Sequence, residues 1–177
     1  MKGFEPAFFK DQWPDGPWMQ EEDFATGLFV YPWFISRNAM GAWCGYVVVP
    51  ESHTWFGLGY DDVNATAHGG LTFSGRLSKE QLATLNLVGE WWAVGFDCSH
   101  FGDLIPALAV LNHQGGFGVH GVYRTSQFVR AEVRELIRQA AAAAGILGLP
   151  IDPETASEAV AKADRAIEKF EAYNANK

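Results

Sequence analysis

Two short, mostly apolar runs constrain the fold of this chain more than any other feature. AWCGYVVVP occupies residues 42–50 and EWWAVGFD occupies residues 90–97. Both runs are rich in β-branched and aromatic residues, and each stops abruptly, at Pro50 and at Asp97. They predict two buried strands at the centre of a sheet, around which the other elements must be placed.

Weaker patterns predict two further strands and a short helix. LFVYPWFI, residues 28–35, predicts a strand that Pro32 confines to a sheet edge or breaks at a bulge. GGLTFSG, residues 69–75, predicts a short strand. The segment that follows predicts a brief helix opened by a capping box of Ser78 and Gln81.

A longer helix is predicted after Thr125 or Ser126, either of which can cap its first turn. Its apolar residues recur at helical spacing, and Gly145 marks its end. The stripe consists of Val129, Val133, Leu136, Ile137 and Ala140. Strands followed by helices predict an α+β fold with a mostly antiparallel sheet, long functional loops and C-terminal helices packed on the sheet.

The chain is predicted to divide into a core and an extension. Residues 1–145 form the predicted core, in which residues 1–27 are an irregular arm pinned to the body by its aromatic side chains. Residues 146–177 form a predicted helical extension that begins with Asp152 as cap and Pro153 at the first helical position. Its thin apolar face packs on the core or on a second copy of the chain, so a homo-oligomer is one open alternative.

Charge and composition argue against several classes of function. The 21 acidic and 13 basic residues give a formal net charge of −8, which disfavours binding to extended nucleic acid or to an anionic membrane. The N-terminal residues lack a signal-peptide pattern, and no run of about 18 apolar residues predicts a membrane span. Cys44 and Cys98 permit at most one disulfide. We therefore expect a cytoplasmic protein with reduced thiols.

Polar residues with chemical potential follow the second strand. DCSHFGD, residues 97–103, places Asp97, His100 and Asp103 at intervals of three. Carboxylates and imidazoles are ligands of divalent cations, so these residues predict a metal site. The structural alternative is a loop whose aspartates bond the backbone N–H groups of the next turn and whose histidine is a hydrogen-bonded structural residue.

A second polar cluster lies in the long loop after the first strand. Its members are Asp61, Asp62, His68, Gly69 and Gly70. The glycines permit close approach of a ligand to the backbone, and we expect the cluster to face DCSHFGD across a shared rim. Trp55 and Tyr60 share this loop and would supply aromatic walls for a small-molecule pocket. The structural alternative makes the aspartates a turn and the glycines a bulge.

Two thiol-based alternatives remain open. Cys98 beside His100 or His68 permits a thiol nucleophile whose pKa an imidazole lowers. Cys44, Cys98, His68 and His100 are the ligand types that bind zinc, although the chain has no C-x-x-C or H-x-x-x-H pair among them. A cysteine at a strand end is also a common small buried hydrophobe.

The ordered series CGYVVVPESH, YDD, HGGLTFSG, WWAVGFDCSHFGD and YRTSQFVRAEV resembles an uncharacterised family of small phage and bacterial proteins. The resemblance covers roughly residues 40 to 138 and implies no established activity. It implies that the residues matching the family's recurring motifs are Tyr60, Asp61, Asp62, His68, Gly69, Gly70, Asp97, Cys98, His100, Gly102, Asp103 and Tyr123.

Three functions from different classes are consistent with these residues. The first is a noncatalytic binder of a small polar molecule, such as a nucleotide-derived signal of host immunity captured in the host cytoplasm by a phage protein. Arg76 and Arg124 could each neutralise one phosphate. The ligand-binding residues predicted for it are Trp55, Tyr60, Asp61, Asp62, His68, Gly69, Gly70, Asp97, Cys98, His100, Asp103, Tyr123 and Arg124.

The second function is a metal-dependent hydrolase. Asp97, His100 and Asp103, together with His68, would hold a divalent cation that activates water, and Asp62 or another carboxylate would act as the base. The third is a protein-interaction module that uses the aromatic arm and the C-terminal helices. We favour binding, because the sequence supplies ligand-like groups without a recognisable nucleophile, base and oxyanion arrangement.

Overall fold

The computed structural model describes residues 16–109 and 121–146 of the chain. Its strands are β1 (Phe24–Leu28), β2 (Pro32–Arg37), β3 (Trp43–Pro50), β4 (Phe73–Arg76) and β5 (Trp91–Asp97), and its helices are α1 (Lys79–Thr84) and α2 (Ser126–Ala143). The strands form one antiparallel sheet with the spatial order β1-β2-β3-β5-β4. The predicted α+β fold with a mostly antiparallel sheet is confirmed.

The first two strands form a hairpin where the sequence analysis predicted one strand over residues 28–35. Residues 29–31 turn the chain, and the Phe29 N–H donates to the Tyr31 carbonyl at 3.2 Å. Pro32 opens β2 opposite Leu28, because a missing N–H is tolerated at the first residue of a strand. The predicted irregular arm is also wrong in part, since it contains a 3-10 turn at Pro17–Gln20 and most of β1.

The central strands β3 and β5 are largely buried on both faces of the sheet. In β3, Gly45 lies against Val133 of α2, and Val47 shares that face. Val48 points to the opposite face, where it packs with Phe34 and with Leu82 of α1. The nearly continuous apolar sequence of β3 follows from this burial between two helices.

Helix α2 agrees with its prediction. The Thr125 hydroxyl caps the helix by accepting a hydrogen bond from the Phe128 N–H at 3.2 Å. Every residue of the predicted apolar stripe is buried. Gly145 follows the helix with a φ of 72°, the left-handed conformation that commonly ends helices. The predicted capping box of Ser78 and Gln81 at α1 is likewise present.

Residues 51–72 form the loop that joins β3 to β4. The first part of this loop contacts the C-terminal end of α2. The His53 imidazole accepts a hydrogen bond from the Trp55 N–H at 3.0 Å through Nδ1, so its Nε2 donates to the Ala140 carbonyl at 2.9 Å. Burial lowers the pKa of His53 more than this carbonyl raises it. A neutral imidazole therefore fastens the loop to the helix.

The same loop then follows α2 towards its N-terminal half. The Thr66 N–H donates to the Gln139 side chain at 2.8 Å, and the His68 N–H donates to the Glu132 carboxylate at 3.0 Å. Glu132 lies two helical turns before Gln139. These contacts carry His68 to the neighbourhood of the segment that follows β5.

The predicted extension, residues 146–177, lies outside the described residues except for Ile146, and so do residues 1–15 of the arm. The division of the chain at residue 145 and the homo-oligomer through C-terminal helices stay predictions. Within residues 16–109 and 121–146, no helix is long and apolar enough to cross a bilayer.

We expect Gly45→Ala to destabilise the fold by about 1–3 kcal/mol, because overpacking forces buried neighbours to move. A Cβ at this position would lie 2.5 Å from Val133 and 2.8 Å from Phe96. The matched control is Gly75→Ala in β4, where the Cβ would lie 3.0 Å from the outer end of the exposed Phe73 ring. Urea unfolding of both variants checks this, and equal destabilisation would contradict it.

Candidate functional site

A tight turn after β5 builds one side of the candidate site. Asp97 ends β5 beside Cys44 of β3, and the Asp103 N–H then donates to the His100 carbonyl at 2.9 Å. Gly102 occupies the third position of this turn with a φ of 91°, which favours glycine. The turn brings His100 and Asp103 close together and turns the Asp103 side chain inward, where it is 1% exposed.

Asp103 is the centre of the cluster. Its Oδ2 accepts hydrogen bonds from His68 Nε2 at 2.8 Å and from the His100 N–H at 3.1 Å, and its Oδ1 accepts one from Arg124 Nε at 2.8 Å. Burial raises the pKa of Asp103, but the hydrogen bonds from Arg124, His68 and His100 outweigh it and hold the pKa below its ordinary value. One ionised carboxylate thus joins three separate segments of the chain.

Arg124 is held on two sides while its terminal nitrogens stay open. Its Nε bonds Asp103, and its guanidinium lies over the Phe128 ring with 4.9 Å to the ring centre. Neither terminal nitrogen has a hydrogen-bond partner in the described part of the chain. The side chain is 27% exposed, so solvent or a ligand can reach these nitrogens.

The two imidazoles of the cluster pack edge to face, with 5.6 Å between the ring centres of His68 and His100. Gly69, with a φ of 68°, lies directly against His100: a Cβ there would be 1.9 Å from the imidazole Cδ2. His100 Nε2 is buried and has no hydrogen-bond partner among the described residues. Asp97 Oδ1 is 4.0 Å from this nitrogen, beyond hydrogen-bond range.

The structure therefore brings together His68, Gly69, His100, Asp103 and Arg124 from the predicted set. It does not join Tyr60, Asp61 and Asp62 to them. These three residues form an exposed 3-10 turn earlier in the loop, and within the described ranges no hydrogen bond or ion pair links their side chains to the cluster. Of the expected shared rim, His68 and Gly69 lie beside His100 and Asp103, whereas YDD does not.

Three further residues of the predicted set also lie apart from the cluster's open side. Trp55 is buried and packs against the His53 ring, so it anchors the loop and offers no free face for stacking. Gly70 is exposed, and a Cβ there would meet nothing within 4 Å. Cys98 is buried, and burial raises the pKa of its thiol. The thiol-nucleophile interpretation gains no support from this arrangement.

The predicted metal ligands are not arranged around a common point. Both oxygens of Asp103 already accept hydrogen bonds, and Asp97 Oδ1 accepts one from the Ser99 N–H at 2.8 Å. Across residues 16–109 and 121–146, no group of three His, Cys, Asp or Glu side chains could hold a metal ion. Burial raises the pKa of the Cys44 thiol to about 12, which also disfavours the zinc alternative.

A second polar network, which the sequence analysis missed, surrounds the buried side chain of Arg37. Its Nη2 donates to Glu21 at 3.0 Å, its Nε to Asp23 at 3.0 Å and its Nη1 to the Gly41 carbonyl at 2.8 Å. The guanidinium lies 4.3 Å from the ring centre of Trp43. An arginine at the end of an apolar strand needs a counter-ion, and the acidic run of residues 21–23 was the available signal.

Glu21 connects this network to the start of α2. Its carboxylate accepts hydrogen bonds from the Tyr123 hydroxyl, from Trp43 Nε1 at 3.0 Å, and from the N–H and hydroxyl of Ser126 at 2.8 and 2.9 Å. Burial raises the pKa of Glu21, but these hydrogen bonds outweigh it and lower the pKa. Tyr123, predicted to bind ligand, instead serves this network, and burial together with the Glu21 carboxylate raises its pKa.

The cluster around Asp103 can perform two kinds of chemistry. Arg124 can donate two parallel hydrogen bonds to a carboxylate or phosphate. His68, oriented by Asp103 through Nε2, keeps Nδ1 as a hydrogen-bond acceptor or proton acceptor.

Comparisons with known proteins gave no match: no family model, no curated protein and no solved structure matched the chain. The family resemblance of the motifs, and every function drawn from it, stays a prediction.

Gly69→Ala should displace His100, whereas Gly70→Ala should leave it in place. Both glycines have positive φ, so each substitution costs roughly 1–2 kcal/mol of backbone strain. Only the alanine at position 69 would also collide with the imidazole. Imidazole NMR signals of His100 in the two variants, with unfolding curves, check this. An unshifted His100 signal in the Gly69 variant would contradict the contact.

Acid should weaken the fold partly through Glu21. Its pKa is lowered on folding, so its stabilising contribution is complete above the unfolded value of 4.5 and is lost as pH falls through the lower folded value. We expect Glu21→Gln to lower the unfolding free energy at pH 7 by about 3–5 kcal/mol, because Arg37 loses a buried partner. Its unfolding free energy should then fall less steeply below pH 4.5.

Glu22→Gln, which changes the neighbouring exposed acid, is the control for that measurement. Denaturant unfolding across pH 2.5 to 7 compares the three proteins. Parallel acid profiles for wild type and Glu21→Gln would show that Glu21 contributes nothing to acid unfolding.

Proposed function

We propose that the protein is a noncatalytic binder of a small polar ligand with one anionic group, held by His68, His100 and Arg124 around Asp103. The observation that carries this proposal is the state of Arg124. Its Nε is fixed by a buried carboxylate, its plane lies on Phe128, and both terminal nitrogens have no partner among the described residues. This geometry supports recognition of a planar or tetrahedral anion.

Preorganisation favours binding at this guanidinium. A free arginine loses rotamer entropy when it captures an anion, but Arg124 is already ordered by Asp103 and Phe128. The remaining two NH₂ groups can bind two ligand oxygens in parallel. The Asp103 carboxylate orients the guanidinium by binding its Nε. The two terminal nitrogens of Arg124 stay free for a ligand.

The imidazoles supply the polar contacts that would orient the rest of the ligand. His68 Nδ1 is left as an acceptor because Asp103 engages Nε2, so it can accept from a hydroxyl or an N–H group of the ligand. His100 borders the site with 28% of its side chain accessible, while its Nε2 is buried. A nucleoside or a similar hydrogen-bonding molecule offers groups of this kind.

Nearby acids limit the charge that the ligand can carry. Glu132 accepts from the His68 N–H, and Asp97 lies beside His100. Arg124 is the only Lys or Arg side chain that contacts Asp103 among the described residues. A ligand with several phosphates would be repelled by the surplus carboxylates, so we expect one phosphate or carboxylate, as in a nucleoside monophosphate or a nucleotide-derived molecule.

Hydrolysis is the second candidate, favoured by the orientation of His68 by Asp103, which resembles a general base with its positioning acid. It ranks lower because the described residues supply neither a metal-ligand group nor an ionised thiol beside His68. Recovery of unchanged ligand after incubation supports capture, and recovery of a cleaved product supports hydrolysis.

Replacement of Arg124 tests the binding function. We expect Arg124→Lys to weaken binding of a nucleoside monophosphate about 10-fold to 100-fold, because lysine cannot form the paired hydrogen bonds. Isothermal titration with inorganic phosphate and a panel of nucleoside monophosphates measures this. Arg134→Gln, which removes an exposed arginine from α2, is the control and should bind like wild type.

Thermal unfolding of the Arg124 variant must accompany the titration, since Arg124 also partners Asp103. If wild type binds no member of the panel, or if Arg124→Lys binds as tightly as wild type, the proposed function is wrong.

A further inference from the structure

The rim of the Asp103 cluster carries two apolar side chains that the fold does not use. Phe101 has 110% of its reference surface exposed, and Val122 has 58%. Most of the large aromatic side chains in the described ranges pack against the sheet, the helices or the loop. Phe101 makes no ring contact among the described residues, so its exposure has no structural explanation.

The backbone places these two residues beside the polar cluster. Phe101 occupies the second position of the turn from His100 to Asp103, and the glycine that follows lets the turn project this side chain outward. The Val122 N–H donates to the Gly102 carbonyl at 2.8 Å, and Val122 pairs with Asp103. Phe101 and Val122 thus lie on backbone segments that are hydrogen-bonded to each other, and each lies within two residues of a cluster member, His100, Asp103 or Arg124.

An exposed aromatic ring is favoured where a second apolar surface can cover it. Here the exposed ring lies next to the Asp103 cluster, in which the terminal nitrogens of Arg124 are open to an anion. A macromolecular partner would need a broad apolar surface, whereas in residues 16–109 and 121–146 the highly exposed apolar side chains next to the cluster members are one ring and one valine. The combination fits a small ligand with one flat apolar end and one anionic end.

We infer that Phe101 and Val122 form an apolar subsite that stacks a planar aromatic ring of the ligand whose anionic group binds Arg124. This inference rests on the proposed function and narrows it to aromatic molecules that carry a single phosphate or carboxylate group. Nucleoside monophosphates and aromatic carboxylic acids share that chemistry. The Phe101 ring takes the stacking role that the sequence analysis gave to Trp55 and Tyr60.

The test compares anionic probes with and without an aromatic ring. Inorganic phosphate, phenyl phosphate, benzoate and the nucleoside monophosphates are titrated into wild type, Phe101→Ala and Phe101→Leu. Wild type should bind phenyl phosphate more tightly than phosphate. Phe101→Ala should weaken phenyl phosphate binding about 5-fold to 100-fold, the range of one ring stack, and leave phosphate binding unchanged. Phe101→Leu, which keeps apolar surface without the ring, should fall between.

Both variants should unfold like wild type because the replaced ring is exposed. Val88→Ala, which truncates another highly exposed side chain, is the control and should bind all probes like wild type. Tighter binding of nucleotides than of benzoate would identify the ligand as a nucleotide. Tighter binding of benzoate would identify it as an aromatic carboxylic acid.

Two failures are distinguishable. If phosphate binds in an Arg124-dependent manner but Phe101→Ala binds phenyl phosphate as tightly as wild type, the subsite is overturned and the proposed function stands. If no probe binds wild type, the proposed function and the subsite fall together.

Discussion

The buried ion pair between Glu21 and Arg37 holds together parts of the chain that are far apart in sequence. The guanidinium comes from the end of β2, and the carboxylate comes from the segment before β1. The same carboxylate also binds Tyr123 and Ser126 at the start of α2. Removing water from two charges costs free energy, so such a pair adds little net stability. Removing one partner is nevertheless strongly destabilising, because the other would be left as an uncompensated buried charge.

This network also fixes the backbone on which the candidate site depends. Tyr123 and Ser126 flank the segment that carries Arg124, and Glu21 binds both of them. The backbone of Arg124 is therefore held on both sides, and its guanidinium binds Asp103. The site is built from three segments: the end of the β3–β4 loop, the turn after β5 and the residues before α2. Gly45 lets α2 pack closely on β3, because a side chain there would collide with Val133.

Local patterns in the sequence predicted the elements they control. The apolar runs of β3 and β5, the Thr125 cap and the stripe of α2 depend on neighbouring residues, so they could be predicted. The β1–β2 hairpin could not, because Pro32 permits both a bulge and a strand start. The convergence of His68 with Asp103 followed from strand order, but the separation of YDD depends on hydrogen bonds from the loop to α2. The structural role of Glu21 was not predicted, because its hydrogen-bond partners, such as Ser126, lie far from it in the sequence.

The path of residues 64–70 along α2 has a consequence for how the site opens. No residue of this segment is buried, and its attachments are hydrogen bonds to Gln139, to Glu132 and to Asp103. Segments with few apolar contacts open at a free energy far below that of global unfolding. Such a fluctuation would lift Gly69 from His100 and uncover its buried Nε2 while the sheet stays intact. Exchange of the backbone amides in this segment would then report how often His100 Nε2 becomes accessible.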